Sequence, residues 1–211
     1  MHIPDGILSP AVWTAATAAS ALVLAGSVRH SKRTLEHRAV PVMGAMAAFI
    51  FASQMVNFPL LGAATSGHLI GGALSAILFG FWPATLIMTT VVAIQAIVFQ
   101  DGGITALGAN VFLMAIAAPA VATLVHKALK SFRVPMAVSG FVAAWCSVVA
   151  VSIVGAALLA WSGVIGFAPA AASLLFWHAF IGIGEGLITA VVIPFALRSS
   201  FHFAAKEGLG A

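Results

Sequence analysis

Residues 136–160 read MAVSGFVAAWCSVVAVSIVGAALLA, 25 positions without one charged side chain. As an α-helix this run is about 37 Å long at 1.5 Å per residue, enough to cross the roughly 30 Å hydrocarbon layer of a bilayer. It is apolar all round and does not alternate, so it suits neither a surface helix nor a barrel strand. Working outward, further apolar runs lie near residues 10–28, 39–57, 67–81, 84–99, 104–125 and 170–197. Only 7% of the 211 residues are charged, against roughly 25% in soluble domains, so most of the chain never has to face water. The pattern predicts an all-α integral membrane protein, a single transmembrane domain over 1–211 with about seven spans behind a tail of residues 1–9. Pro119 and Pro194 fall inside spans and are expected to kink them.

The charges orient the bundle. All nine basic residues fall in three clusters: Arg29, Lys32, Arg33 and Arg38; Lys127, Lys130 and Arg133; Arg198 and Lys206. Each cluster follows an apolar run, as cytoplasmic loops do under the positive-inside rule. A basic balance of this kind belongs to membrane topology, and nucleic acid is not an expected partner. Parity requires the stretch 67–99 to cross twice, through a turn at Gly80–Pro83, if all the clusters are to share one side. The amino terminus and the QDGG turn at Gln100–Gly103 then lie outside, and the carboxyl terminus is cytoplasmic. The span 67–81 is short, about 22 Å, which bilayer thinning or a broken, cavity-lining helix could accommodate. The single cysteine, Cys146, sits in an apolar run and reads as a small buried residue.

Among seven histidines, His30, His37, His126 and His202 lie in or beside the basic loops and read as solvated. His2 differs. The opening MHIPDGILSP has no basic segment before its first apolar run, so the amino terminus is expected to be Met1 itself. A free Met1 amine, the His2 amide nitrogen and the His2 Nδ1 can close two fused chelate rings on one metal ion. Three nitrogens then lie in one plane, an arrangement suited to Ni2+ or Cu2+. His68, on the same outer side, can close the square, and Pro4 and Gly6 help the tail bend back into the bundle. His178 and Glu185, seven residues apart on one helix face, are ionisable groups within a span and so candidates for function. They are expected to surround a site rather than to ligate, together with polar residues that include Asn57, Ser66 and Asn110. Gln54 and Gln95 extend the same polar set, and Asp101–Gly103 reads as a turn.

Four segments, MHIPDGILSP (1–10), TSGHLIGGALSAILFG (65–80), FQDGGITALGANVFLMAI (99–116) and HAFIGIGEGLITA (178–190), resemble the CbiM/NikM family over nearly the whole chain. That family comprises the substrate-binding membrane components of energy-coupling-factor transporters for nickel and cobalt. The resemblance implies metal ligation by the Met1 amine, the His2 amide and imidazole, and the His68 imidazole, with Ni2+ or Co2+ as transported ligand rather than cofactor. It also implies a cell-membrane complex with a transmembrane coupling subunit, separate ATPase subunits and a small accessory membrane subunit. Ala11, Ala15 and Ala19 form a small-residue face on the first span that resembles surfaces used for such docking. The chain has no P-loop pattern, so it is not expected to be an enzyme. MHIPDG looks more like nickel members, with cobalt uptake for cobalamin synthesis as the alternative. An intramembrane metalloenzyme lacks an HExxH pattern, and a passive channel would need more acidic residues in the spans than Glu185 alone.

Overall fold

The computed structural model describes residues 1–61 and 64–198, apart from the Arg198 side chain. Among the described residues the chain forms seven helices: α1 (Pro10–Thr34), α2 (Ala39–Gln54), α3 (Gly72–Phe79), α4 (Phe81–Val98), α5 (Leu107–Ser131), α6 (Met136–Trp161) and α7 (Phe167–Arg198). A short antiparallel hairpin, β1 (Phe58–Leu60) and β2 (Thr65–Gly67), joins α2 to α3 and pairs Pro59 with Ser66. Five helices, α1 and α4 to α7, are long and apolar enough to span a bilayer. The protein is a multi-pass membrane protein.

The third apolar run, expected as a span over 67–81, differs most from its sequence reading. Only eight residues are helical, about 12 Å at 1.5 Å per residue. The segment before them, His68–Gly71, has no regular structure, because it is held by side chains from neighbouring helices instead of by its own i→i−4 ladder. Every residue of α3 is buried, which allows non-helical backbone at this depth. The expected four-residue turn at Gly80–Pro83 reduces to Gly80 alone, at φ +81, and Phe81–Pro83 already form the first turn of α4. The first basic cluster also departs from a loop, since α1 continues through Arg29, Lys32 and Arg33. Cations in a last helical turn suit the helix dipole. In α5 a π-helical stretch, Phe112–Ala117, runs up to Pro119, whose missing N–H breaks the α ladder. Pro194 lies inside α7, whose helical assignment continues through it.

Small residues set the helix spacing, as lipid supplies no hydrophobic force between helices. Trp145 and Phe141 of α6 lie over Gly182 and Gly186 of α7, and a Cβ at Gly186 would meet the Phe141 ring at 2.7 Å. Gly108 of α5 packs against Thr17 of α1, and the Ser20 hydroxyl donates to the Gly108 carbonyl at 2.7 Å. Large apolar side chains point outward along α7, among them Phe176, Phe180, Val191 and Phe195.

Trp82 at the start of α4 lies beside Gly26 and His30 near the end of α1, while Ser9 at the start of α1 bonds Ser162 after α6. The helices therefore alternate in direction. The basic residues of α1 and α5, with Arg38 just before α2 and Arg133 just after α5, gather at the end remote from the amino-terminal tail. His202 and Lys206 lie outside the described residues. His126, expected to be solvated, is instead buried and pairs its Nδ1 with the Ser139 hydroxyl at 2.7 Å, because helix α5 carries it in against α6. In a chain with Cys146 replaced by serine, a cysteine at exposed Lys32 should react with an impermeant thiol reagent only from the cytoplasm. One at exposed Ile104 should react only from outside, and the reverse pattern would invert the orientation.

Candidate functional site

The tail folds back at Asp5–Gly6, with Gly6 at φ +81, and threads its first three residues into the mouth of the bundle. Met1, His2 and Ile3 are each 1–2% exposed. An extended segment has no internal hydrogen bonds, so its peptide groups need outside partners. Asn110 of α5 accepts the Ile3 N–H at 2.8 Å and donates to the Ile3 carbonyl at 2.9 Å. The Gly103 N–H donates to that same carbonyl at 3.0 Å, and the His2 N–H donates to the Ser66 hydroxyl at 2.9 Å. A Cβ on Gly103 would run into the Pro4–Asp5 backbone. The Met1 side chain fills a slot where a Cβ on Gly155 would lie 2.8 Å from its Cε. Asp5 fastens the outer end, accepting the N–H groups of Ile104 and Thr105 and the Thr105 hydroxyl. The Thr105 hydroxyl, foremost, holds the Asp5 carboxyl below its ordinary value.

Two imidazoles meet at this mouth. The rings of His2 and His68 stack with centroids 4.6 Å apart and 22° between planes. His2 Nε2 lies 3.1 Å from the Gln95 side-chain oxygen, which can only accept, so Nε2 carries the proton and Nδ1 keeps its lone pair. His68 Nδ1 lies 2.6 Å from the Leu69 carbonyl, so there Nδ1 carries the proton and Nε2 is bare. Both bare nitrogens are buried without a hydrogen-bond partner. The carboxylate of Asp101 stands 3.4 Å from His2 Nδ1, and its other oxygen accepts from Asn57 at 2.8 Å. Burial raises the Asp101 carboxyl, a shift that His68 and Asn57 oppose.

The arrangement brings together most of the residues singled out from sequence. Met1, His2, His68, Ser66, Asn57 and Asn110 converge on the mouth. His178 is fully buried, donates from Nδ1 to the Leu174 carbonyl at 2.9 Å and leaves Nε2 unpartnered. Leu174, one turn away, lies beside Met1. Glu185 sits elsewhere, bonded to the Ile70 and Gly71 N–H groups. It adjoins a small cleft that Gln54 and Thr189 also line and that neither His2 nor His68 reaches. Gln95, one of the polar set read from the sequence, orients His2. Asp5 was not singled out, and Asp101 only as part of the DGG turn, because both act through loop geometry that spacing does not reveal. Among the described residues no three His, Cys, Asp or Glu side chains form a metal-holding group. The chelate expected from sequence draws two of its four nitrogens from the chain terminus and a peptide group. On α1, Ala11 and Ala15 are exposed and Ala19 half-buried.

Residues 2–202 match the family model described as CbiM, cobalt uptake substrate-specific transmembrane region. A fused nickel transport protein NikMN of Rhodobacter capsulatus is 41% identical over 126 residues, covering 60% of this chain and 36% of that one. A cobalt transport protein CbiM of Clostridium cellulovorans is 34% identical over 148 residues, covering 68% of this chain and 56% of that one. The chain thus spans about half the length, or less, of these relatives. A crystal structure described as a truncated transition metal transporter superposes with a TM-score of 0.90 at 31% identity, covering 94% of this chain and 99% of that one.

Burial pulls the His2 imidazole down from 6.5 to about 4, against the opposing hydrogen bond of Gln95. A detached tail therefore binds a proton between those values that the docked tail does not. Docking is strongest above pH 6.5 and weakens as the pH falls toward 4. Hydrogen exchange at the Ile3 amide, corrected for its intrinsic pH dependence, should lose protection over that window. Asn110→Ala should lower the protection at every pH, by about 1–3 kcal/mol for a buried group left unpaired. Unchanged protection in Asn110→Ala would mean that Asn110 does not hold the tail.

Proposed function

We propose that this chain, which belongs to the CbiM family, is the metal-binding membrane component of an uptake transporter for Ni2+ or Co2+. The carrying observation is a buried amino terminus flanked by two imidazoles whose bare nitrogens, His2 Nδ1 and His68 Nε2, accept no hydrogen bond from the protein. On this reading the Met1 amine, the His2 amide nitrogen and His2 Nδ1 take three corners of a planar site, and His68 Nε2 takes the fourth. The amide gives up its proton as the metal–nitrogen bond forms, so the bond from His2 N–H to Ser66 is surrendered and the stacked rings must part. Ser66 therefore holds the tail in place before the metal arrives. A planar four-nitrogen set favours Ni2+ over Zn2+. Co2+ is the second reading, supported by the description of the family and the name of the Clostridium relative.

ATP hydrolysis is assigned to separate subunits, which drive this component through a transmembrane coupling subunit in the cell membrane. The word "fused" in the Rhodobacter relative's name supports association with a further transport component, such as a small accessory membrane subunit. The Ala11, Ala15 and Ala19 face of α1, exposed at its first two positions, would let a partner helix approach closely. Glu185 is the only acidic residue in the spans, and its two oxygens are taken by backbone N–H groups, which argues against an ion-conducting path.

Two variants test the ligand set. His68→Ala leaves three donors and should weaken Ni2+ binding by more than the roughly 10–100-fold typical of losing an outer partner of a ligand; unchanged Ni2+ retention would remove His68 from the site. Inserting leucine between Met1 and His2 creates an amine, two amides and one imidazole, which can satisfy Ni2+ without His68. The inserted chain should still show planar Ni2+ absorption but lose ATP-dependent uptake in cells carrying the coupling subunits. Normal uptake would show that the Met1 amine is not a ligand.

A further inference from the structure

Glu185 lies in the middle of α7, remote in sequence from the tail, yet its carboxylate is connected to His68 by an unbroken line of hydrogen bonds. Its Oε2 accepts the Ile70 N–H at 2.6 Å. That N–H belongs to the same peptide group as the Leu69 carbonyl, which accepts the His68 Nδ1–H at 2.6 Å. One peptide group therefore gives its hydrogen to the Glu185 carboxyl group and receives a hydrogen from the imidazole. The other carboxylate oxygen accepts the Gly71 N–H at 2.9 Å, and the carbonyl of that next peptide group, at Ile70, accepts from Gln54 of α2. Both peptide groups are gripped at both ends, by α7 on one side and by His68 or α2 on the other.

We propose that Glu185 is a positioning residue for the metal, acting through a carboxylate–peptide–imidazole relay onto His68. Donation of the Ile70 N–H to a carboxylate draws electron density toward the Leu69 oxygen and strengthens it as an acceptor. A stronger acceptor at Nδ1–H fixes the His68 tautomer and makes Nε2 the more basic donor, the role that a directly bonded carboxylate plays at many metal-bound histidines. A peptide group in the line lets an anion deep in α7 act on a ligand at the bundle mouth without itself standing beside the metal. The inference rests on His68 being a ligand, as proposed above.

A thermodynamic cycle on the full chain with its native amino terminus separates this role from simple support of the α3 entrance. The variants are Glu185→Gln, His68→Ala and the double substitution, each titrated with Ni2+ in detergent and read by affinity and by the ligand-field absorption band. Glutamine keeps the shape but loses the charge and can accept only one of the two N–H groups well. Glu185→Gln alone should weaken Ni2+ binding by roughly 10–100-fold and move the band to longer wavelength. In the His68→Ala background the same substitution should change neither quantity. An equal loss in both backgrounds with an unmoved band would reduce Glu185 to a structural brace and overturn the relay. Binding that His68→Ala leaves unchanged would overturn the ligand assignment and the relay with it, an outcome visible before Glu185 is touched. Should Glu185→Gln fail to fold, the native chain labelled with 15N-histidine carries the test. Metal-free His68 should then show an Nδ1–H proton shifted far downfield, and an Nε2–H tautomer would overturn the proposal.

Discussion

An extended piece of chain can lie inside a helix bundle at membrane depth only if its peptide groups are bonded by someone else. Asn110 does most of this for the tail, pairing with both the N–H and the carbonyl of Ile3 as a neighbouring strand would. Its own position depends on where α5 begins. Gly108, two residues earlier, lies against α1 so closely that a side chain there would collide with Thr17. Thus one glycine contact brings α1 and α5 together, α5 presents Asn110, and Asn110 seats Ile3, the residue that follows His2. The Met1 slot at Gly155 and the Asp5 clasp on Ile104 and Thr105 fix the two ends of the same segment.

The two histidines are oriented by opposite atoms for the same reason. Each faces a group that can only accept: the Gln95 amide oxygen for His2 and the Leu69 carbonyl for His68. In a dry interior this decides which ring nitrogen keeps its lone pair. The outcome is Nδ1 for His2, the only ring nitrogen that can close a six-membered chelate with its own amide, and Nε2 for His68, which reaches farthest from its backbone. Burial then keeps the His2 ring neutral at ordinary pH, so a metal meets a donor and not a cation.

Much of this was legible in the chain itself. Helix number followed from runs such as 136–160 and from parity of the basic clusters, since the bilayer punishes a charge or an open peptide group wherever it occurs. His2 could be singled out because the expected chelate depends on covalent spacing from the terminus, which needs no fold; His68 was singled out by its expected outer position, and the structure stacks its ring on that of His2. The hairpin at Phe58–Gly67 was not, because three-residue strands containing Pro59 carry no alternation strong enough to read. Nor was the brevity of α3, since Leu69–Phe79 is apolar whether helical or extended. The destination of Glu185 depended on a turn 115 residues away, and no local pattern encodes such a pairing.

The polar residues of the spans share one use that their scatter in sequence conceals. Gln54, Gln95, Asn110 and Glu185 come from α2, α4, α5 and α7, and each ends on an irregular segment or on His2. The long helices supply a rigid frame and lend side chains to those stretches that cannot satisfy themselves, the tail and the His68–Gly71 turn. Those two stretches carry the candidate donors. A planar set of nitrogens needs backbone atoms at positions that a regular helix cannot offer, because its own N–H groups are committed to the i−4 carbonyls. On the proposed reading the buried tail offers such backbone nitrogens and the irregular stretch before the third helix offers the His68 ring, both held by side chains from regular helices.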